Sequence, residues 1–224
     1  MNIYEIIGPV MIGPSSSHTA GAVRIGYSAR KLLGEKPRAA EILLHGSFAA
    51  TGPGHGTDKA IVAGLLGMKP DDPDIPWSLE LAQKKRLSVS ISQTKLTGVH
   101  PNTALIRVTG ESGRSLEIVS SSLGGGRIKI CQIDGLDANF TGDYPTLIVH
   151  NLDQPGHVAE VTSMLSHKSV NIATMQLYRD TRGGYAVMVI ETDQPIPKES
   201  LQWLVKLEGV IKVTYINLDE EESE

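Results

Sequence analysis

The residues best suited to chemistry lie close together in one short stretch, Gly13-Pro14-Ser15-Ser16-Ser17-His18-Thr19-Ala20-Gly21. Three serines, an imidazole and a threonine separate a Gly-Pro turn from a segment in which Ala22, Ile25, Ala29 and Leu32 recur at helical spacing. Serine and threonine oxygens accept bonds from the unpaired N–H groups of a first helical turn, so the stretch is expected at a helix start. Those N–H groups and the helix dipole attract anions. Capping needs one hydroxyl, so Ser15, Ser16, Ser17, His18 and Thr19 together predict a ligand or catalytic site. A second constellation, Gly52-Pro53-Gly54-His55-Gly56-Thr57-Asp58, puts a histidine between glycines that allow backbone to approach a ligand closely. An imidazole there titrates near neutrality and suits a general base. Thr57 or Asp58 is expected to cap the helical pattern that follows, which carries Ile61, Ala63, Leu65 and Leu66.

Other chemistries fit the spacing poorly. His18, His45 and His55 show no i, i+4 or CxxC-type arrangement, so no metal site is expected from this chain. His45, inside the apolar run Glu41 to His45, reads as a satisfied strand residue. Ser17 and His18 are sequence neighbours without a G-x-S-x-G elbow, which argues against a hydrolase triad. Gly124-Gly125-Gly126 lacks dinucleotide-binding spacing and precedes a strand pattern, so it reads as a turn or as backbone close to a ligand. Cys131 is expected to be a small packed residue rather than a nucleophile. His100 to Thr103 is expected to be a turn, with a site role open to Asn102.

The elements that must position these groups fall into two parts. The first is a helix after the serine stretch, a strand at 41–45, a Gly-rich turn at 51–58, a helix, a proline-rich loop at 69–76, and then β structure. Leu87, Val89 and Ile91 alternate with serines; 103–109, 115–120 and 127–133 read as further strands, with a Gly/Ser loop at 120–126. Gly135 to Asp143 is expected to link the two parts. The second part reads strand 146–152, helix around Val158 to Leu165, strand 171–179, strand 185–191, helix around Leu201 to Val205, and strand 210–218. That βαββαβ order predicts a ferredoxin-like fold, so the fold class is α+β. Domains are expected at 1–138 and 144–224, the second ending in the acidic tail Asp219 to Glu224. In the second, Asn151 and the turn into Gly156, His157 and Val158 form a strand–helix junction able to hold an amino-acid carboxylate and ammonium.

Composition bounds the functional classes. In 224 residues, 40% are hydrophobic and the net charge is −4, which argues against a nucleic-acid surface. One cysteine, Cys131, suits a reducing cytoplasm and cannot by itself ligate an iron–sulfur cluster. There is no signal-peptide pattern and no 18-residue apolar run, so a soluble cytoplasmic protein is expected, with no membrane partner.

Taken together, the stretches are specific. Ile12 to Gly21 resembles the N-terminal signature of the iron–sulfur-dependent bacterial L-serine dehydratases, and His45-Gly46-Ser47-Phe48-Ala49-Ala50-Thr51 through Gly54 to Ala60 resembles their second signature. The C-terminal part, with Asn151 and Asp153 to Val158, is similar to an ACT domain, and the N-terminal part also resembles the allosteric substrate-binding domain of some phosphoglycerate dehydrogenases. Length and domain order match the β subunit of the two-subunit dehydratase. The resemblance implies β-elimination of water from L-serine to give pyruvate and ammonia. It implies a 4Fe-4S cluster ligated by cysteines of a partner α subunit, and no metal ligand from this chain. His55 is then the base, His18 the second imidazole of the site, and Ser15, Ser16, Ser17, Thr19, Thr57 and Asp58 substrate-binding groups. Asn151, Gly156, His157 and Val158 become the ACT ligand-binding positions, and ACT strands are expected to pair between two copies of the chain. Pro53 departs from the pattern, since many relatives carry lysine before Gly-His-Gly. The alternative is a non-catalytic amino-acid sensor built on the ACT domain.

Overall fold

The computed structural model describes residues 10–218, so the acidic tail and all but the last two residues of the segment Asn2 to Met11 lie outside the described residues. The chain forms two compact units that divide between Gly135 and Leu136.

The first unit begins with a π-helical turn, Ser16–Gly21, running straight into α1 (Ala22–Leu33). There follow β1 (Pro37–His45), α2 (Gly46–His55), α3 (Thr57–Leu65), a 3-10 turn (Ile75–Trp77), α4 (Ser78–Lys84), β2 (Ser88–Thr94), β3 (Asn102–Gly110), β4 (Ser115–Gly124) and β5 (Arg127–Ile133). The five strands lie in the order β2-β1-β3-β4-β5. β1 pairs in parallel with β2 and antiparallel with β3, and the remaining pairs are antiparallel. Alternation gives the sheet a buried row, in which Ile42 faces Ile106 and Ile106 faces Ile118. On the next row, Glu41, Arg107 and Glu117 stand in register and form two ion pairs of 2.9 and 2.7 Å. These are exposed pairs of small energetic weight, and they mark the outward face.

The apolar stripe expected on α1 is present: Ala22, Ile25, Ala29 and Leu32 are all buried. α1 packs on α3 through two glycines. A Cβ on Gly26 would collide with the Ile61 carbonyl, and one on Gly64 with the Val23 carbonyl. The two backbones therefore cross in direct contact. This crossing fixes α1, and with it the serine stretch, relative to α3, which follows His55 after Gly56.

Three local expectations are overturned. Residues 51–58 are not a Gly-rich turn: 46–55 form α2, and only Gly56, with φ 69°, breaks it from α3. Neither Thr57 nor Asp58 caps α3; Gly56 is its N-cap residue and no side chain bonds there. Ser120, Ser121 and Ser122 are not loop but part of β4, and all three are buried, because β4 is an inner strand of the sheet with β3 and β5 on either side.

The second unit contains β6 (Leu136–Phe140), β7 (Thr146–Leu152), α5 (His157–His167), β8 (Ile172–Arg179), β9 (Tyr185–Thr192), α6 (Lys198–Leu204) and β10 (Val210–Ile216). The expected βαββαβ order is observed, with an antiparallel sheet in the order β10-β7-β9-β8. Leu147, Val149, Met188 and Ile190 build the core with Val161, Leu165 and Leu204. Residues 136–140, read from sequence as linker, are a strand. β6 meets β8 through the Gln176 Nε2 donor to Asn139 O at 2.9 Å. This bond ties the start of the Gly/Asn/Asp-rich segment to the second unit, whose first residue is Leu136.

Candidate active site

The serine stretch is a helix start, as its sequence predicts. Ser15 is extended (φ −142°, ψ 123°), and its Oγ accepts the His18 backbone N–H at 3.1 Å. Ser16 Oγ accepts the Gly125 N–H at 3.3 Å, so the triple-glycine hairpin turn between β4 and β5 rests against the motif. Arg24 Nη1 donates to Gly126 O at 3.2 Å and ties down the same turn. Thr19 points inward, and beneath the turn a Cβ on Gly21 would strike Ser122 Oγ. Thr19 Oγ1, Ser120 Oγ and Ser122 Oγ are buried without a hydrogen-bond partner among the described residues.

α2 brings the second constellation to the first. Its Ser47 and Thr51 are one turn apart and face the same imidazole: His18 Nε2 lies 3.0 Å from Thr51 Oγ1 and 3.2 Å from Ser47 Oγ. His18 also packs edge-on against the buried Phe48 ring, at 5.2 Å between centroids. His55 ends α2, its ring 5.2 Å from that of His18 and tilted by 38°. His55 Nδ1 is 3.0 Å from the Thr51 carbonyl oxygen. A carbonyl only accepts, so Nδ1 carries the hydrogen and the lone pair of the neutral ring is on Nε2. His55 is exposed. An accessible imidazole with a free Nε2 lone pair has the form a proton acceptor needs.

The structure thus brings together Ser15, Ser16, Ser17, His18, Thr19 and His55. Thr57 is fully buried under Gly52, and its Oγ1 and Asp58 Oδ1 lack hydrogen-bond partners among the described residues. Sequence reasoning did not single out Ser47 and Thr51. Their signal is the four-residue spacing in Ser47-Phe48-Ala49-Ala50-Thr51, which reads as one face only once the segment is known to be helical.

Burial, and then the neighbouring His55, hold His18 below the ordinary histidine value of 6.5; a backbone hydrogen bond at Ser47 opposes them. The folded chain therefore binds fewer protons at His18 than the unfolded chain does. The resulting stability is complete above about 6.5 and is lost as pH falls through the lowered folded value. Thermal midpoints of the wild-type chain are expected to fall more steeply than those of His18→Gln between about pH 7 and pH 5.5. Parallel curves would show that His18 is not desolvated.

This chain's residues do not fit an iron–sulfur cluster. Cys131 is the single cysteine and is half-buried in β5, its Sγ 3.6 Å from Ser121 Oγ. No group of three or more His, Cys, Asp or Glu able to hold a metal ion occurs among the described residues. His45, the last residue of the inner strand β1, is satisfied: its Nδ1 accepts the Leu96 N–H at 3.1 Å. No helix among the described residues is long and apolar enough to cross a membrane.

In the second unit, Asn151 is buried, with Nδ2 donating to Leu152 O at 2.6 Å and Oδ1 without a hydrogen-bond partner among the described residues. Gly156 (φ 110°) turns the chain into α5, His157 is buried at its first residue, and Val158 is exposed. Asp153 braces the junction: the Gly183 N–H, at 3.0 Å, and then Arg179, at 3.1 Å, hold its carboxyl below the usual aspartate value.

The fold and site define a class: a two-unit α+β protein whose first unit joins a hydroxyl-rich helix start to two imidazoles, and whose second is an ACT-type sheet-and-helix module. The family model for the serine dehydratase beta chain matches residues 3–132, and that for the ACT domain matches 145–209. The chain belongs to the serine dehydratase beta chain family. It is 42% identical over 215 residues to a probable L-serine dehydratase beta chain of Bacillus subtilis, covering 96% of this chain and 97% of that one. It is 35% identical over 216 residues, with the same coverage, to the L-serine dehydratase beta chain of Peptoniphilus asaccharolyticus. A D-3-phosphoglycerate dehydrogenase of Archaeoglobus fulgidus is 27% identical over 96% of this chain, which spans 39% of that protein.

Proposed function

We propose that this chain is the β subunit of a two-chain L-serine dehydratase and supplies the proton-handling half of a site completed by an α subunit. The observation that carries the reading is the convergence of His18 and His55 beside the serine helix start, in a chain of the serine dehydratase beta chain family. The serine hydroxyls and N–H groups of the first turn hold the substrate carboxylate. His55 Nε2 takes the α-proton of L-serine; the C–O bond to the β-hydroxyl breaks as the Cα=Cβ bond forms, and the departing hydroxide takes up the proton held on His55 to become water. The aminoacrylate that remains tautomerises to the imine, which water hydrolyses to pyruvate and ammonia. With a single cysteine in this chain, the ligands of the 4Fe-4S cluster come from cysteines of the partner.

Anaerobic co-expression with the cysteine-bearing partner, followed by assay of pyruvate from L-serine, tests the proposal. Pyruvate formation only when both chains are present is the expected result. L-serine binding by this chain without turnover in any pairing would instead favour an amino-acid sensor, a reading that rests on Asn151 Oδ1 at the β7–α5 junction, buried and without a hydrogen-bond partner among the described residues.

A further inference from the structure

The His18 ring has two nitrogens and three hydrogen-bonding neighbours, and one of them settles which nitrogen bears the hydrogen. Thr51 Oγ1 donates its single hydrogen back along α2 to the Ser47 carbonyl at 2.9 Å. Only lone pairs then remain on Thr51 Oγ1 to face His18 Nε2, 3.0 Å away. A deprotonated Nε2 would oppose lone pair to lone pair at hydrogen-bonding distance. Ser47 Oγ, at 3.2 Å, can accept or donate and does not discriminate. On the far side of the ring, Ser15 Oγ already accepts the His18 backbone N–H and lies 3.5 Å from Nδ1, with its own hydrogen free to point there.

We propose that Thr51 is a positioning residue that locks neutral His18 as the Nε2–H tautomer. The hydrogen-bond chain then runs Ser15 O–H to His18 Nδ1, His18 Nε2–H to Thr51 Oγ1, and Thr51 O–H to Ser47 O. His18 and His55 are therefore opposite tautomers, with lone pairs on Nδ1 and Nε2 respectively. The lone pair of His18 is covered by Ser15, whereas that of His55 is open. The division of labour that follows rests on the shared-site reading above: His18 organises the serine motif and His55 Nε2 is the proton acceptor. Among helical threonines a hydroxyl bonded to the carbonyl one turn back is common. Here the same bond decides the tautomer of an imidazole on a different segment.

The test is long-range proton–nitrogen correlation on the full chain labelled with 15N-histidine, recorded above the histidine titration range, with His18→Gln used to assign its signals. The expected wild-type spectrum shows His18 with a pyrrole-type Nε2 and a pyridine-type Nδ1. Thr51→Val is expected to admit the Nδ1–H form, because Ser47 Oγ is then free to donate to Nε2, and Thr51→Ser is expected to keep the wild-type pattern. An Nδ1–H wild-type ring overturns the proposal whether or not any variant folds, and so does an unchanged tautomer in Thr51→Val. In the two-chain enzyme, Thr51→Val is expected to lower kcat about 10- to 100-fold, with KM nearly constant and recovery in Thr51→Ser. A changed tautomer with undiminished turnover supports the assignment and counts against the shared-site reading instead.

Discussion

His55→Ala, assembled with the cysteine-bearing partner, is expected to lose about 10²- to 10⁴-fold in kcat while KM for L-serine changes little. The magnitude is that of removing a general base. The split between kcat and KM follows because a proton acceptor acts in the transition state and contributes little to ground-state binding. The structure adds a reason to expect the loss at this histidine rather than at His18. His55 is exposed, with Nδ1 committed to the Thr51 carbonyl and Nε2 open, whereas His18 is enclosed by Phe48, Ser15, Ser47 and Thr51. His55→Asn is the useful companion: it can keep a donor toward Thr51 O but has no basic nitrogen, so it should be as inactive as alanine. Full turnover in either variant would remove His55 from the mechanism.

The second large effect concerns assembly of the site rather than its chemistry. Gly26→Ala is expected to destabilise the first unit by about 3 kcal/mol, the upper end of the range for overpacking a buried site. A Cβ there meets the carbonyl and backbone of Ile61 on α3, and backbone cannot rotate out of the way as a side chain can. A drop of roughly 6 °C or more in the melting transition is the corresponding signal. Gly54→Ala is the control. It is also helical, but nothing lies within 4 Å of its added Cβ, so the transition should hold or rise slightly. Equal melting temperatures for Gly26→Ala and the wild type would mean that α1 and α3 can separate without cost. Because α1 continues the serine turn and α3 follows His55 through Gly56, loosening this crossing is also expected to loosen the pairing of the two imidazoles.

The ACT-type unit was legible because its information is local. Alternating strands, helical stripes and Gly/Pro turns follow each other in βαββαβ order, and that order has few compact solutions. The serine stretch was legible for the same reason, since a cap and the apolar stripe behind it occupy neighbouring residues. Two segments misled. Thr51-Gly52-Pro53-Gly54-His55 has the composition of a turn, with glycine and proline costing about 1 and 3 kcal/mol against a helix interior. Even so it is helical, because the α2 that contains it buries Phe48 and packs Gly52 over Thr57 and Leu44. Ser120 to Ser122 likewise look like loop residues by type, but β4 carries them between β3 and β5, where Ser121 Oγ meets Thr103 Oγ1 at 2.7 Å.

By itself, the sequence determined the two-part order, the helix start at Ser15, and the two histidine-bearing stretches that mark the family. Only the tertiary structure decided that those stretches lie against one another. His18 and His55 are distant in the chain, and their 5.2 Å approach depends on the glycine crossing of α1 with α3 and on the helical form of residues 46–55. The partners that orient them, Ser47 and Thr51, became visible only then. A hydroxyl's role is set by what lies within 3 Å of it, and for long-range contacts local sequence patterns carry no record of that distance.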